Sequence, residues 1–169
     1  MEKLELKHLV PYYEHNLKVL STEDNKIYCL TGLSNPYKTV RRDFIKIEIR
    51  EPLETRSWSF VLNNKEGFTV KPILRPFSDL SKEIEHNGEK FCPEDLLSNL
   101  FGDCETFYSF EGVKLIEDTY RTEDAIHSKK IYDNPNYYPW FIIKWLHEHL
   151  FDTEGLIEAG LAIDFNTLK

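Results

Sequence analysis

The chain has 169 residues, enough for one domain with a sizeable core or for two small lobes, and too few for a larger multidomain enzyme. Hydrophobic residues make up 41% of it, so enough apolar surface is present to offset the entropy of ordering the chain. The net charge of -8 argues against a protein that wraps nucleic acid, because such a protein must concentrate cations against the phosphates.

Cysteine spacing and the N-terminal segment predict the compartment. Cys29, Cys92 and Cys104 form no CxxC pair, so neither a disulfide framework nor a zinc ribbon is indicated. The N-terminal segment MEKLELKHLV carries acids among its apolar residues, unlike a secretory signal, and no run approaches the roughly 20 apolar residues of a membrane helix. These features predict a cytoplasmic protein without membrane association.

Short strands are predicted throughout the first half of the chain. In DFIKIEIRE, Ile45, Ile47 and Ile49 alternate with charged residues, as in a half-buried strand. The runs LKVL (17–20) and KIYCLTGL (26–33) are also strand-like, and SWSFVL, the turn NNKEG and FTV predict a hairpin. Because twist accumulates across closely spaced strands, the pattern predicts a curled antiparallel sheet or an SH3-like small barrel.

A hairpin and a helix are predicted next. Asn87-Gly88, between EIEH and EKFC, suits a two-residue turn that needs positive φ at both positions. Pro93 suits the first helical position, and Gly102 suits the end of the helix. The predicted apolar face of that helix comprises Leu96, Leu97, Leu100 and Phe101. Periodicity is weak over residues 103–136, where GVKLIED is compatible with a strand and TEDAIHSKKIY with a helix.

An aromatic helix dominates the predicted C-terminal part, from Tyr137 or Pro139 to Phe151. Asp152 is predicted to cap a short helix through TEGLIEA, and LAIDF to return as a final strand. The predicted fold is therefore α+β. An antiparallel sheet or barrel occupies residues 1–77, and a β-hairpin with a helical C-terminal half occupies residues 78–169, with a single domain over 1–169 as the alternative.

Three segments carry a resemblance: KPILRPFSDLSKEI, NGEKFCP and GLIEAGLAIDFNTLK. They resemble segments of a group of small uncharacterised proteins encoded by phages and prophages, which share a proline-broken linker, a hairpin and a similar C-terminal end. The match covers the second half better than the first, and residues 103–136 depart most from the pattern. The resemblance implies a phage-associated protein in the cytoplasm of a bacterial host cell, and it brings no activity and no catalytic residue.

The segment KWLHEHLF (144–151) places two histidines around a glutamate. At about 100° per residue, His147 and His149 lie roughly 200° apart on a helix and cannot chelate one ion together. The zincin motif needs histidines four residues apart, and the position four beyond His147 is Phe151. His149 falls on the apolar arc with Trp145 and Leu146, which predicts a core or interface histidine with one nitrogen hydrogen-bonded.

Other chemistry has weaker support, and the sequence predicts no catalytic residue, no metal ligand and no cofactor. GxGxxG, GxxxxGK[ST] and GxSxG are absent. A metal- or thiol-dependent hydrolase remains an alternative, with candidate groups His86, Cys92, Cys104, His127, His147 and His149. A nucleic-acid binder that uses the strand around Arg41, Arg42 and Lys46 is another, although the interleaved acids favour a solvated strand edge. A virion component is a further alternative.

The aromatic surplus predicts a non-enzymatic protein-binding module. Its partner would be a host factor, a defence component or another copy of the chain. The candidate contact residues are Tyr137, Tyr138, Trp140 and Lys144, because tyrosine and tryptophan combine a flat apolar ring with a polar group. Burial of both Tyr138 and Trp140 in the monomer would exclude this surface.

Overall fold

The computed structural model describes residues 4–34, 45–51, 57–62, 69–101, 106–121 and 126–168. The chain divides into two compact units. The first contains Met1–Arg75 with Leu150–Lys169, and the second contains Pro76–His149. Residues 150–169, which the sequence prediction placed with the second half of the chain, thus belong to the first unit.

The α+β class is confirmed. The helices are α1 (Leu6–Leu9), α2 (Pro93–Phe101) and α3 (Trp140–Glu148). The strands are β1 (Lys18–Ser21), β2 (Ile27–Ser34), β3 (Ile45–Arg50), β4 (Ser57–Leu62), β5 (Val70–Leu74), β6 (Ile84–His86), β7 (Glu89–Phe91), β8 (Thr106–Glu111), β9 (Lys114–Arg121), β10 (Ile126–Tyr132) and β11 (Ile163–Asp164).

The first unit is built on a six-stranded sheet with the order β11-β5-β1-β2-β3-β4. It is mixed rather than antiparallel, because β11 pairs with β5 in parallel and every other pair is antiparallel. The described residues form no closed barrel, so the alternative of an SH3-like barrel is wrong. The short N-terminal helix α1 continues into a 3-10 helix, Val10–His15.

Most of the predicted strands of the first half are confirmed. Ile47 and Ile49 are fully buried, as their alternation in β3 predicts. The predicted hairpin between SWSFVL and FTV is wrong, since β4 pairs with β3 whereas β5 pairs with β1. The strand β5 instead runs through Pro72, which lies opposite Val19. Phe68, at the start of FTV, lies outside the described residues.

The core of the first unit includes side chains from the start and the end of the chain. Tyr12 is fully buried, its hydroxyl lies 3.1 Å from Thr153 Oγ1, and it accepts a hydrogen bond from Thr153 N. Leu156 and Ala162 are also buried in this core. The C-terminal segment is therefore part of the first hydrophobic core.

Asp152 organises that C-terminal segment. Its buried carboxylate accepts hydrogen bonds from Leu156 N at 2.9 Å and Ile157 N at 2.8 Å. The predicted short helix through TEGLIEA is wrong, because residues 153–160 form turns around this carboxylate. The predicted final strand is confirmed as β11, in which Ile163 lies opposite Ile73 of β5.

The second unit begins with the predicted hairpin and helix, and both are confirmed. Asn87 and Gly88 connect β6 to β7 with φ of 53° and 86°, the positive values that a two-residue turn requires. Helix α2 begins at Pro93, and Leu97 on its apolar face is fully buried. Leu100, predicted on the same face, is exposed.

The remainder of the second unit is a three-stranded antiparallel sheet, in the order β10-β9-β8, followed by α3. The strand in GVKLIED is confirmed as part of β9, whereas the helix predicted in TEDAIHSKKIY is wrong, because Ile126–Tyr132 forms β10. One face of the sheet carries the buried Tyr108 and Leu115, and the ring of Tyr108 meets that of Phe141 in α3. Helix α3 confirms the predicted aromatic helix, which ends at Glu148 rather than at Phe151.

Replacement of Asp152 by alanine is expected to lower the free energy of unfolding by about 2 to 4 kcal/mol, because the buried amide of Leu156 and the half-buried amide of Ile157 lose a charged acceptor. Asp152→Asn keeps one acceptor oxygen and is expected to cost roughly half as much. Urea denaturation followed by circular dichroism measures both. Asp133→Ala, at an exposed loop position, is the matched control, and an equal loss in that variant would contradict the assignment.

Replacement of Asn87 by alanine is expected to lower the free energy of unfolding by about 1 kcal/mol, since a residue with a Cβ resists positive φ unless it is Asn or Asp. Asn87→Gly is expected to cause no such loss. Thermal unfolding of the two variants gives the comparison, and equal effects of Ala and Gly would show that φ is not the cause.

Candidate protein-binding surface

A tight turn before α3 sets the positions of Tyr137, Tyr138 and Trp140. Asn134 Oδ1 accepts a hydrogen bond from Asn136 N at 2.9 Å and opens a 3-10 helix, Pro135–Tyr137. Pro139 then precedes the first residue of α3. Asn-Pro and the second proline both favour these bends.

Tyr138 fixes this turn to the three-stranded sheet. Its side chain is 6% exposed, and its hydroxyl donates to the carbonyl of Val113 in the turn between β8 and β9. Its ring lies 6.2 Å from that of Phe110 and 6.3 Å from that of Tyr132. Tyr138 was predicted as a contact residue; its burial makes it a support for its neighbours instead.

The neighbours of Tyr138 are exposed. Tyr137 and Trp140 are each 74% exposed. Lys144 lies one helical turn after Trp140, is also exposed, and its Nζ is 3.7 Å from Glu148 Oε1. We call Tyr137, Trp140 and Lys144 the α3 entry surface. Burial of both Tyr138 and Trp140 would have excluded this surface, and only Tyr138 is buried.

His149 occupies an aromatic cluster of the second unit. Its ring stacks on Trp145, with centroids 3.9 Å apart and planes 22° apart, and lies 5.5 Å from the ring of Phe91. Its Nδ1 donates to the carbonyl of Trp145 at 2.9 Å. The predicted hydrogen bond of one ring nitrogen is confirmed, and His149 is half-buried, so the choice between a core and an interface histidine stays open.

The groups proposed for a hydrolase are brought together only in part. His86 and His149 have ring centroids 4.9 Å apart. Cys92 Sγ donates to the carbonyl of Leu80 at 3.7 Å. His127 Nε2 lies 2.5 Å from Asp118 Oδ1, on the face of the three-stranded sheet opposite to Tyr108 and Leu115. Over the ranges described, no three His, Cys, Asp or Glu residues form a group that could hold a metal ion.

Several predicted residues cannot be placed. Cys104, Arg41 and Arg42 lie outside the described residues, as does the side chain of Lys46. The metal, thiol and nucleic-acid alternatives that use them therefore stay predictions.

A second exposed surface was missed by sequence reasoning. The outer face of the three-stranded sheet carries Phe107, Tyr120, His127, Lys129 and Ile131, all exposed. The rings of Tyr120 and His127 stack with centroids 4.4 Å apart and planes 6° apart. The alternation in TFYSFE and HSKKIY is the signal that could have revealed these strands. The signal is weak, because few of the outward-facing residues differ in polarity from their inward-facing neighbours.

Ionisation of tyrosines is expected to destabilise the fold above pH 10. Burial raises the pKa of Tyr138 to about 12, and the hydrogen bond from Tyr28 to Asp24 is the main cause that raises the pKa of Tyr28 to about 12. Because both values exceed the ordinary value of about 10, their stabilising effect is complete below pH 10 and is lost as pH rises through about 12.

The measurement is urea denaturation at a series of pH values from 9 upward, about half a unit apart, with absorbance at 295 nm to follow phenol ionisation. We expect Tyr138→Phe to flatten the fall in unfolding free energy, and Tyr137→Phe, at an exposed ring, to leave it unchanged. An identical slope in the wild type and Tyr138→Phe would contradict the assignment.

Comparison of this chain with known proteins found no match. No protein-family model, no curated protein and no solved structure matches it. Within the described ranges, no helix is long and apolar enough to span a bilayer. The resemblance to phage-encoded proteins has no test in these comparisons and stays a prediction.

Proposed function

We propose that this protein is a non-enzymatic binding module that recognises another protein through the α3 entry surface. The observation that carries the proposal is the 74% exposure of both Tyr137 and Trp140 beside a buried Tyr138. Burial of an exposed aromatic side chain by a partner is favourable, because it removes a large apolar surface from water.

The support beneath these rings favours recognition. Tyr138 is held by the Val113 carbonyl and by two aromatic neighbours, so the backbone on either side of it is constrained. A partner therefore orders mainly the side-chain torsions of Tyr137 and Trp140, and each ring has only two. Less conformational entropy is lost on binding than with a mobile loop.

We further propose a phage-associated protein that acts in the cytoplasm of a bacterial host. The segments KPILRPFSDLSKEI, NGEKFCP and GLIEAGLAIDFNTLK support this origin. The partner is then a host factor or a defence component. Self-association and assembly into a virion are the alternatives that the experiment separates.

The test replaces the two exposed aromatic side chains with alanine. Tagged wild-type protein and the double variant Tyr137→Ala/Trp140→Ala are used as bait in infected host cells, and captured proteins are identified by mass spectrometry. We expect one host protein to be captured by the wild type and its affinity to fall about thirtyfold or more in the double variant, the size of a hot-spot loss.

The matched control is Val10→Ala, which removes an exposed apolar side chain from the first unit. Thermal unfolding should be nearly unchanged in all three proteins, since the altered side chains are exposed. Equal capture by the double variant would overturn the proposed surface. Recovery only in assembled particles, or only as a complex of identical chains, would instead identify a virion component or self-association.

A further inference from the structure

Strand β10 forms an exposed edge of the sheet in the second unit. It pairs with β9 in unbroken register along all of Ile126–Tyr132. Within the described part of the chain, no strand pairs with its other side. Residues 127–131 are all exposed, so side chains on both faces of this stretch are open to solvent. Such an edge presents N–H and C=O groups that another strand can pair with.

The opposite edge of the same sheet, strand β8, has backbone groups that are hydrogen-bonded to helix α2. On β8, Phe110 N donates to Glu94 Oε1 at 3.0 Å, and the Tyr108 carbonyl accepts from Ser98 Oγ. Both Glu94 and Ser98 belong to α2, so this helix covers polar backbone groups of β8. Among the described residues, the edge that remains open for pairing is that of β10.

The charge of β10 is opposite to that of the whole chain. Lys129 and Lys130 lie within it, and it contains no acid, although the chain has a net charge of -8. Asp118, across from Lys129, contacts His127 instead. Lys129 forms no ion pair with any described residue. Glu117 of β9 lies across from Lys130, so the nearest acids are on the neighbouring strand and none is on β10 itself. An acidic segment that lies along the open side of β10 would meet two lysines and no carboxylate on that strand.

A second copy of β10 fits this edge poorly. In an antiparallel pair of β10 strands centred on Lys129, on Lys130 or between them, a lysine faces a lysine of the other copy. Like charges directly opposite each other destabilise strand pairs. Edge lysines of this kind discourage self-pairing, and they leave an acidic strand as the favoured occupant.

We propose that β10 accepts an extended acidic segment of another protein as a fourth strand of this sheet. Main-chain hydrogen bonds supply affinity, and alternate side chains of the incoming strand lie beside Lys129 and the exposed Ile131 on the outer face. The site is separate from the α3 entry surface, so either proposal can fail without the other.

The test uses a fluorescent eight-residue peptide of alternating valine and glutamate, with binding followed by anisotropy at low salt. Two matched peptides accompany it. One carries lysine in place of glutamate, and the other is N-methylated at four consecutive central residues, which removes N–H donors from both of its edges. We expect binding of the acidic peptide alone.

The protein variants are Lys129→Glu and the control Lys18→Glu, which makes the same charge change at an exposed position of β1. We expect Lys129→Glu to weaken binding about fivefold or more, since attraction across the strand pair becomes repulsion. Lys18→Glu should leave it within about twofold. Added salt should weaken binding of the wild type.

Four results would overturn the proposal. They are absence of binding, equal binding of the lysine peptide, equal binding of the N-methylated peptide, and tighter binding of a single-stranded oligonucleotide than of the acidic peptide. Sedimentation velocity adds one more. A dimer of the free protein that Lys129→Glu alters would identify a second copy as the occupant of this edge.

Discussion

The first unit depends on a short backbone bridge between two distant segments of the chain. Arg75 N donates to the Leu150 carbonyl at 2.8 Å, and Asp152 N donates to the Arg75 carbonyl at 2.9 Å. Closing a flexible loop of on the order of 75 residues costs about 4 kcal/mol in chain entropy, so this bridge forms at a disadvantage unless the intervening residues are already compact. Once formed, it lets β11 pair with β5 and brings Leu156 and Ala162 into the first core.

The bridge requires an unfavourable backbone conformation. Leu150 has φ of +62°, a left-handed value that costs a residue with a Cβ on the order of 1 kcal/mol. The hydrogen bond from Arg75 and the packing of Leu150 against the first core offset that cost. Glycine is the usual residue at such a helix end, and its absence explains why the sequence predicts a helix that continues to Phe151.

Local signals in the sequence predicted local structure. Contacts between residues that are distant in sequence could not be predicted from such signals. Asn87-Gly88 predicts its hairpin because two adjacent residues determine the turn, and β3 is evident because its buried face alternates strictly. FTV was predicted as the second strand of a hairpin, yet β5 continues through Pro72 and pairs with β1, about fifty residues earlier. At the candidate surface, aromatic composition pointed to a segment in which Tyr137 and Trp140 are exposed. Tyr137 and Tyr138 nevertheless have opposite exposures, because the Val113 carbonyl that holds Tyr138 lies in a turn whose position no periodicity reports.

The two candidate surfaces of the second unit meet at one aromatic contact. Tyr132 ends β10, its hydroxyl donates to Glu117 at 2.8 Å, and Lys130 Nζ lies 4.5 Å from the centre of its ring. The same ring lies 6.3 Å from that of Tyr138, which supports Tyr137 and Trp140. A strand added to β10 would restrict Lys130 and Tyr132, and so would restrict one of the two rings that hold Tyr138 in place. The two proposed surfaces share no contact residue, and the rings of Tyr132 and Tyr138 connect the β10 edge to the support of the α3 entry surface.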